Sequence, residues 1–129
     1  MNEIKNISKD DFYDLVNKND NNYHVVVIDG KENQDWDSYV KSIERLFKFR
    51  TPIVNLPMYV DWMQDLLWLN VDGFILGIIN YDKFLSKDLW YKEAIMKSFR
   101  KEILPWWGGD VEKYCVGGKK KYFGVFIIE

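Results

Sequence analysis

Three short apolar runs alternate along the chain with longer stretches in which apolar residues recur every three or four positions. The runs cover residues 24–30, 73–80 and 122–128 and are rich in β-branched and aromatic residues. Such runs, bounded by glycine or polar residues, are typical of strands buried on both faces of a parallel sheet. The order strand, helix, helix, strand, helix, strand predicts an α/β fold, with a three-stranded parallel sheet packed with helices and right-handed crossovers.

The stretches between these runs have the spacing of amphipathic helices. One helix is predicted over residues 36–47. A second has Pro57 in its first turn, where the missing amide hydrogen would have no helical partner. A third is predicted over about residues 87–103, and the sequence of residues 105–109, Pro-Trp-Trp-Gly-Gly, is expected to end it.

The first 22 residues precede the apolar runs and have a different pattern. Ser8 followed by Asp11 resembles a helix start, so a short helix is expected over about residues 8–16. Residues 17–22 are predicted to form a polar linker. The chain therefore divides into an N-terminal helical extension, residues 1–22, and a main domain, residues 23–129.

Composition restricts the class of protein. A chain of 129 residues that is 47% apolar suits one domain with one packed core. Its formal net charge of −2 disfavours nucleic acid as a partner. A single cysteine favours a reducing, cytoplasmic location, and no apolar run is long enough to span a membrane.

The distribution of charge is uneven. No lysine or arginine occurs from Thr51 to Asp82, although both are frequent elsewhere. Asp61 and Asp65 lie in this gap, and at helical spacing they are one turn apart on the same face. Trp68 is predicted to share that outward face. The residues predicted to face the core are Met58, Trp62, Met63, Leu66 and Leu69.

An acidic stripe beside an aromatic residue indicates a surface that binds a positively charged partner. One alternative is a merely solvated helix face, but such faces usually interleave charges of both signs. A second alternative is an acid/base pair made by Asp61 and Asp65. Exposed carboxylates both stay ionised, which does not suit a general acid. We therefore expect a binding protein rather than an enzyme.

Other candidate chemistry is sparse. His24 is the only histidine and Cys115 the only cysteine, so the four-ligand zinc sets built from these residue types cannot form. We interpret His24, at the start of an apolar run, as structural. The paired glycines lack the spacing of a phosphate-binding loop. Neither a metal centre nor a cofactor is expected.

The chain resembles the barstar family, the small intracellular inhibitors of barnase-type ribonucleases, over about residues 24–128. No single motif carries the resemblance; an ordered set does. The set comprises Val27–Gly30, a helix ending in Leu46 and Phe47, Asn55 six residues before Asp61, an apolar strand at residues 75–80, Phe84, a helix through Phe99, and a terminal strand at residues 125–128.

The resemblance implies a barstar-like fold and an immunity protein. The helix carrying Asn55 and Asp61 would enter the active site of a basic extracellular-type ribonuclease or a related toxin. Asp61 would there take the place of an RNA phosphate, and Asp65 and Trp68 would extend the same face. Asn55 would start the helix and fix the loop before it. The free protein is expected to be a monomer, with neither nucleic acid nor membrane as a partner.

Two departures from the family pattern leave an alternative open. The aromatic, glycine-containing loop of the family is replaced by residues 50–54, Arg-Thr-Pro-Ile-Val, and Lys101 aligns with a glutamate that contacts the enzyme. The alternative is a module of the same fold that binds a non-nuclease partner. Its surface would be formed by Trp106, Trp107 and Trp68.

Overall fold

The computed structural model describes residues 1–19 and 21–129, and over these residues it contains one four-stranded sheet. All neighbouring strands are parallel, and their order across the sheet is β1-β4-β3-β2. An α/β fold with a parallel sheet packed with helices is thus confirmed. The strands are β1 (Ile4–Ile7), β2 (Tyr23–Asp29), β3 (Gly73–Ile79) and β4 (Tyr122–Ile128).

Five α-helices lie in the described part of the chain: α1 (Lys9–Asn17), α2 (Trp36–Leu46), α3 (Leu56–Met63), α4 (Leu89–Ser98) and α5 (Val111–Tyr114). Capping side chains fix the starts of α1, α2 and α3. The Ser8 hydroxyl accepts a hydrogen bond from the Asp11 amide at 3.1 Å, and the Asp35 carboxylate accepts one from the Ser38 amide at 2.9 Å. None of the described helices has both the length and the apolar composition needed to cross a membrane.

The prediction of three strands is wrong, because residues 4–7 form a fourth. This strand pairs with β4, with Ile4 opposite Val125. The Asn2 side chain secures it by donating to the Lys121 carbonyl at 3.0 Å and accepting from the Phe123 amide at 2.9 Å. The strand escapes detection because its isoleucines are three residues apart and contact opposite faces of the sheet.

The two faces of the sheet carry separate hydrophobic cores. The larger core lies between the sheet and helices α2 to α5. The smaller core lies under α1, where Phe12 is fully buried against Ile75, Phe126 and Ile128. Gly77 permits this contact, since a Cβ atom there would lie 2.7 Å from the Phe12 ring. The helix predicted over residues 8–16 is thus confirmed, whereas the predicted linker includes Asp20, which lies outside the described residues.

The helix predicted to break over residues 105–109 continues through Pro105, Trp106 and Trp107 and is interrupted only at Gly109, the last residue of that range. π-helical turns at Phe99–Ile103 and Trp106–Asp110 lead through Pro105 to α5, and the backbone leaves helical geometry at Gly109 (φ 162°). A π-turn rearranges the hydrogen bonds of the helix and bends it, which accommodates a proline. The continuation turns Trp107 into the larger core.

A left-handed residue after α2 gives a first prediction. Lys48 is exposed with φ 56°, and the next amide, that of Phe49, closes the turn on the Glu44 carbonyl at 2.9 Å. This is the glycine position of a Schellman motif. Lys48→Gly should raise the free energy of unfolding by about 0.5–1 kcal/mol, since only the side chain opposes this backbone conformation. Urea denaturation measures the change. Lys41→Gly, inside α2, should lower the same quantity, and equal effects of both variants would contradict the assignment.

Candidate partner-binding surface

Helix α3 is short and has a defined start. The Asn55 side chain accepts a hydrogen bond from the Met58 amide at 2.9 Å, and Pro57 lies in the first turn, both as predicted. The helix ends at Met63, and three residues later Leu66 adopts a left-handed conformation with φ 50°. Leu66 is nevertheless fully buried, so burial of its side chain offsets a strained backbone.

The predicted one-turn spacing of Asp61 and Asp65 on a helix is wrong, because Asp65 lies beyond the end of α3. Asp61 is exposed and lines a groove of about 580 Å³ between α3 and α4. Asp65 is half-buried and lines a second groove of about 460 Å³ near Trp106. The two carboxylates thus lie on different grooves, an arrangement unlike the paired carboxylates of an acid/base site.

Trp68, predicted to lie on the outward face, is only partly exposed. It is half-buried, and its indole N–H donates to the Phe47 carbonyl at 2.8 Å. Its ring packs edge-on against Phe49 and Trp62, with both pairs of ring centroids 5.5 Å apart. The helix start, Asp61 and this aromatic cluster of Phe49, Trp62 and Trp68 nevertheless belong to neighbouring segments on the same side of the sheet.

The residues of α3 that face the core also differ from those predicted. Met63 and Leu66 are buried as expected, whereas Met58, Trp62 and Leu69 are only half-buried. Tyr59 is fully buried instead, and its hydroxyl lies 2.6 Å from that of Tyr39 in α2. Burial raises the pKa of both phenols, so this pair is neutral at physiological pH. It holds α3 against α2 and thereby positions Asp61.

Sequence reasoning missed two residues of the α3–α4 groove. Lys97 and Lys101 line it together with Asp61 and Glu102. Residues 51–82 contain no lysine or arginine, but two lysines from α4 and the turn that follows it line the same groove as Asp61. Among the described residues Asp61 forms no ion pair within 4.0 Å. The available signal was the four-residue spacing of the two lysines on the predicted third helix.

None of the three tryptophans predicted for the alternative surface, Trp68, Trp106 and Trp107, is exposed. Trp107 is 2% exposed, and its indole N–H donates to the Met63 carbonyl at 2.9 Å, at the end of α3. Trp106 is half-buried and lines the second groove. Exposed apolar side chains on that groove are those of Leu67 and Val116.

His24 lies at the start of β2, and its Nε2 is 2.8 Å from the Leu46 carbonyl oxygen. This contact ties the strand to the end of α2, which agrees with the structural interpretation. Within residues 1–19 and 21–129, no cluster of three or more histidine, cysteine, aspartate or glutamate side chains is arranged to hold a metal ion.

Comparison of the chain with protein-family models, curated proteins and solved structures gives no match. The resemblance to the barstar family therefore depends on the ordered residues given above. Because a fold does not determine a function, the surface around Asp61 has to supply the functional inference.

Proposed function

We propose that this chain is a barstar-like inhibitor, an immunity protein that blocks the active site of a basic ribonuclease toxin through α3. The observation that carries the proposal is Asp61, an exposed carboxylate on a short capped helix, with no ion pair among the described residues. The succession β2-α2-α3-β3-α4-β4 also agrees with the order of elements that the resemblance implies. The inhibitor would act in the cytoplasm, where cellular RNA needs protection.

Asp61 would inhibit by occupying the position of an RNA phosphate. The arginine and histidine groups that hold phosphate in a ribonuclease would donate charge-assisted hydrogen bonds to its carboxylate. Complementary charges would also speed the encounter, so the toxin would be bound before it cleaves RNA. The barnase–barstar pair is itself a standard example of such charge-assisted, fast association.

The surroundings of Asp61 favour a rigid surface. The Asn55 cap fixes the start of α3, and the Tyr39–Tyr59 hydroxyl contact fixes its buried side. A surface that is ordered before binding loses little conformational entropy in the complex. Asp65 and Trp68 would lie towards the edge of the interface, since Asp65 is beyond the helix and Trp68 is half-buried.

Asp61→Ala should weaken binding to a purified barnase-type ribonuclease by at least about 30-fold, which corresponds to the threshold of about 2 kcal/mol for an interface hot spot. Its melting temperature should stay close to that of the wild type, because the side chain is exposed. Surface plasmon resonance and thermal denaturation measure the two quantities.

Asp14→Ala is the matched control, because Asp14 is also exposed on a helix but lies on α1, at the opposite face of the sheet. It should bind like the wild type. Equal affinities of the Asp61 and Asp14 variants would overturn the proposed role of α3.

A non-nuclease interaction module is the second candidate function. It is favoured by the second groove, where Leu67 is 70% exposed beside Trp106. A partner at this site would be bound by apolar contacts and would show little dependence of association rate on salt. Leu67→Ala would then weaken binding, whereas Asp61→Ala would not.

A further inference from the structure

The α3–α4 groove carries charges of both signs at separate positions. Asp61 contributes the carboxylate on the α3 side, whereas Lys97 and Lys101 are exposed on the α4 side. None of these three side chains forms an ion pair within 4.0 Å over residues 1–19 and 21–129. Glu102, the residue after Lys101, also lines the groove and forms no such ion pair over the same residues. The groove thus presents two carboxylates, those of Asp61 and Glu102, and the two ammonium groups of Lys97 and Lys101 to a partner.

Lys97 lies in the last turn of α4, and Lys101 follows it four residues later. Like charges four residues apart destabilise a helix by about 0.2–0.5 kcal/mol. Lys101 also lies within the π-helical turn Phe99–Ile103, a geometry that is rare in proteins and frequent at functional sites. Both features favour a role for this pair of charges beyond solvation of the surface.

Part of the groove lining is apolar. Leu56, Val60 and Ala94 are among the residues that line it, and Trp90 lies at the start of α4 with 69% of its surface exposed. The Trp90 ring packs edge-on against Tyr91, with centroids 5.0 Å apart. A tryptophan supported in this way is a suitable anchor for an apolar side chain of a partner.

We propose that the partner presents a carboxylate to Lys97 and Lys101, next to the cationic group that meets Asp61. This inference depends on the proposed function and specifies the target, a basic ribonuclease whose contact surface also contains an acidic side chain. Charge complementarity identifies the occupant, because a uniformly basic surface would place unpaired cations against both lysines. Like charges brought together at an interface disfavour binding and exclude such partners.

The test reverses both lysines, as Lys97→Glu/Lys101→Glu, and uses the purified barnase-type ribonuclease that the wild-type chain binds. The proposal expects affinity to fall by at least about tenfold, mainly through faster dissociation. If the target surface were uniformly basic, the affinity of this variant would rise instead of fall, because the added carboxylates would strengthen binding.

The matched control is Lys41→Glu/Arg45→Glu, which reverses two exposed basic residues at the same spacing on α2. It changes the net charge equally and should leave the dissociation rate near that of the wild type. Because all four side chains are exposed, both double variants should fold. Circular dichroism and thermal denaturation check this.

The outcomes separate this inference from the proposed function. Loss of binding in both Asp61→Ala and the Lys97/Lys101 variant, but not in the α2 control, supports both. Loss in Asp61→Ala together with unchanged or tighter binding of the Lys97/Lys101 variant overturns the acidic contact and leaves the inhibitor proposal intact. A wild-type chain that binds none of a panel of barnase-type ribonucleases overturns both.

Discussion

Trp107→Ala is expected to lower the free energy of unfolding by about 3–5 kcal/mol, the range for removing a large aromatic side chain from a core. Trp107 is 2% exposed and contacts Phe74 of β3, with ring centroids 5.4 Å apart. Its indole N–H also satisfies the Met63 carbonyl at the end of α3. The alanine variant therefore leaves a cavity and an unpaired carbonyl group. Equilibrium denaturation in urea measures the loss.

Trp90→Ala is the matched control, since Trp90 is mostly exposed and the same substitution there should change stability by less than about 0.5 kcal/mol. Trp107→Phe separates the two contributions. It keeps much of the ring but removes the hydrogen bond, so it should cost about 1–3 kcal/mol. If Trp107→Ala were no more destabilising than Trp90→Ala, the helical path through Pro105 would be wrong.

The strands and helices that could be predicted are those whose buried residues follow one regular pattern of apolar positions along the sequence. Strands β2, β3 and β4 lie within one residue of the predicted runs at each end, because strands covered on both faces must be apolar throughout. Helix α2 agrees equally well with its prediction, since its buried residues Tyr39, Val40 and Ile43 follow the helical spacing.

The parts that could not be predicted depend on contacts between distant segments. Leu66, three residues beyond the end of α3, adopts a left-handed conformation that the local sequence disfavours, and the burial of its side chain offsets that cost. The path through Pro105 similarly depends on where Trp107 is buried. Strand β1 has four residues and becomes a strand only because β4 offers an unpaired edge.

The candidate site shows the same division. The exposure of Asp61 and the Asn55 cap depend on local sequence, and both could be inferred from it. The relation of Asp61 to Lys97 and Lys101 depends on how α4 packs beside α3, which a single sequence does not reveal. Asp61, from the stretch of sequence that lacks lysine and arginine, therefore lines a groove that carries charges of both signs in the structure.

Phe12→Ala tests whether the N-terminal residues belong to the same cooperative unit as the rest of the sheet, and it should cost about 3–5 kcal/mol. Phe12 is fully buried against three residues of β3 and β4, and it covers the space that Gly77 leaves open. Tyr13→Ala is the control, because Tyr13 is the next residue in α1 and is 42% exposed. Urea denaturation followed both by tryptophan fluorescence and by circular dichroism should give one coincident transition for each variant. Equal stabilities of the two variants would mean that α1 does not close the second face of the sheet. Helix α1 would then not belong to the cooperative unit of the sheet, and the apolar residues of that face would need another cover.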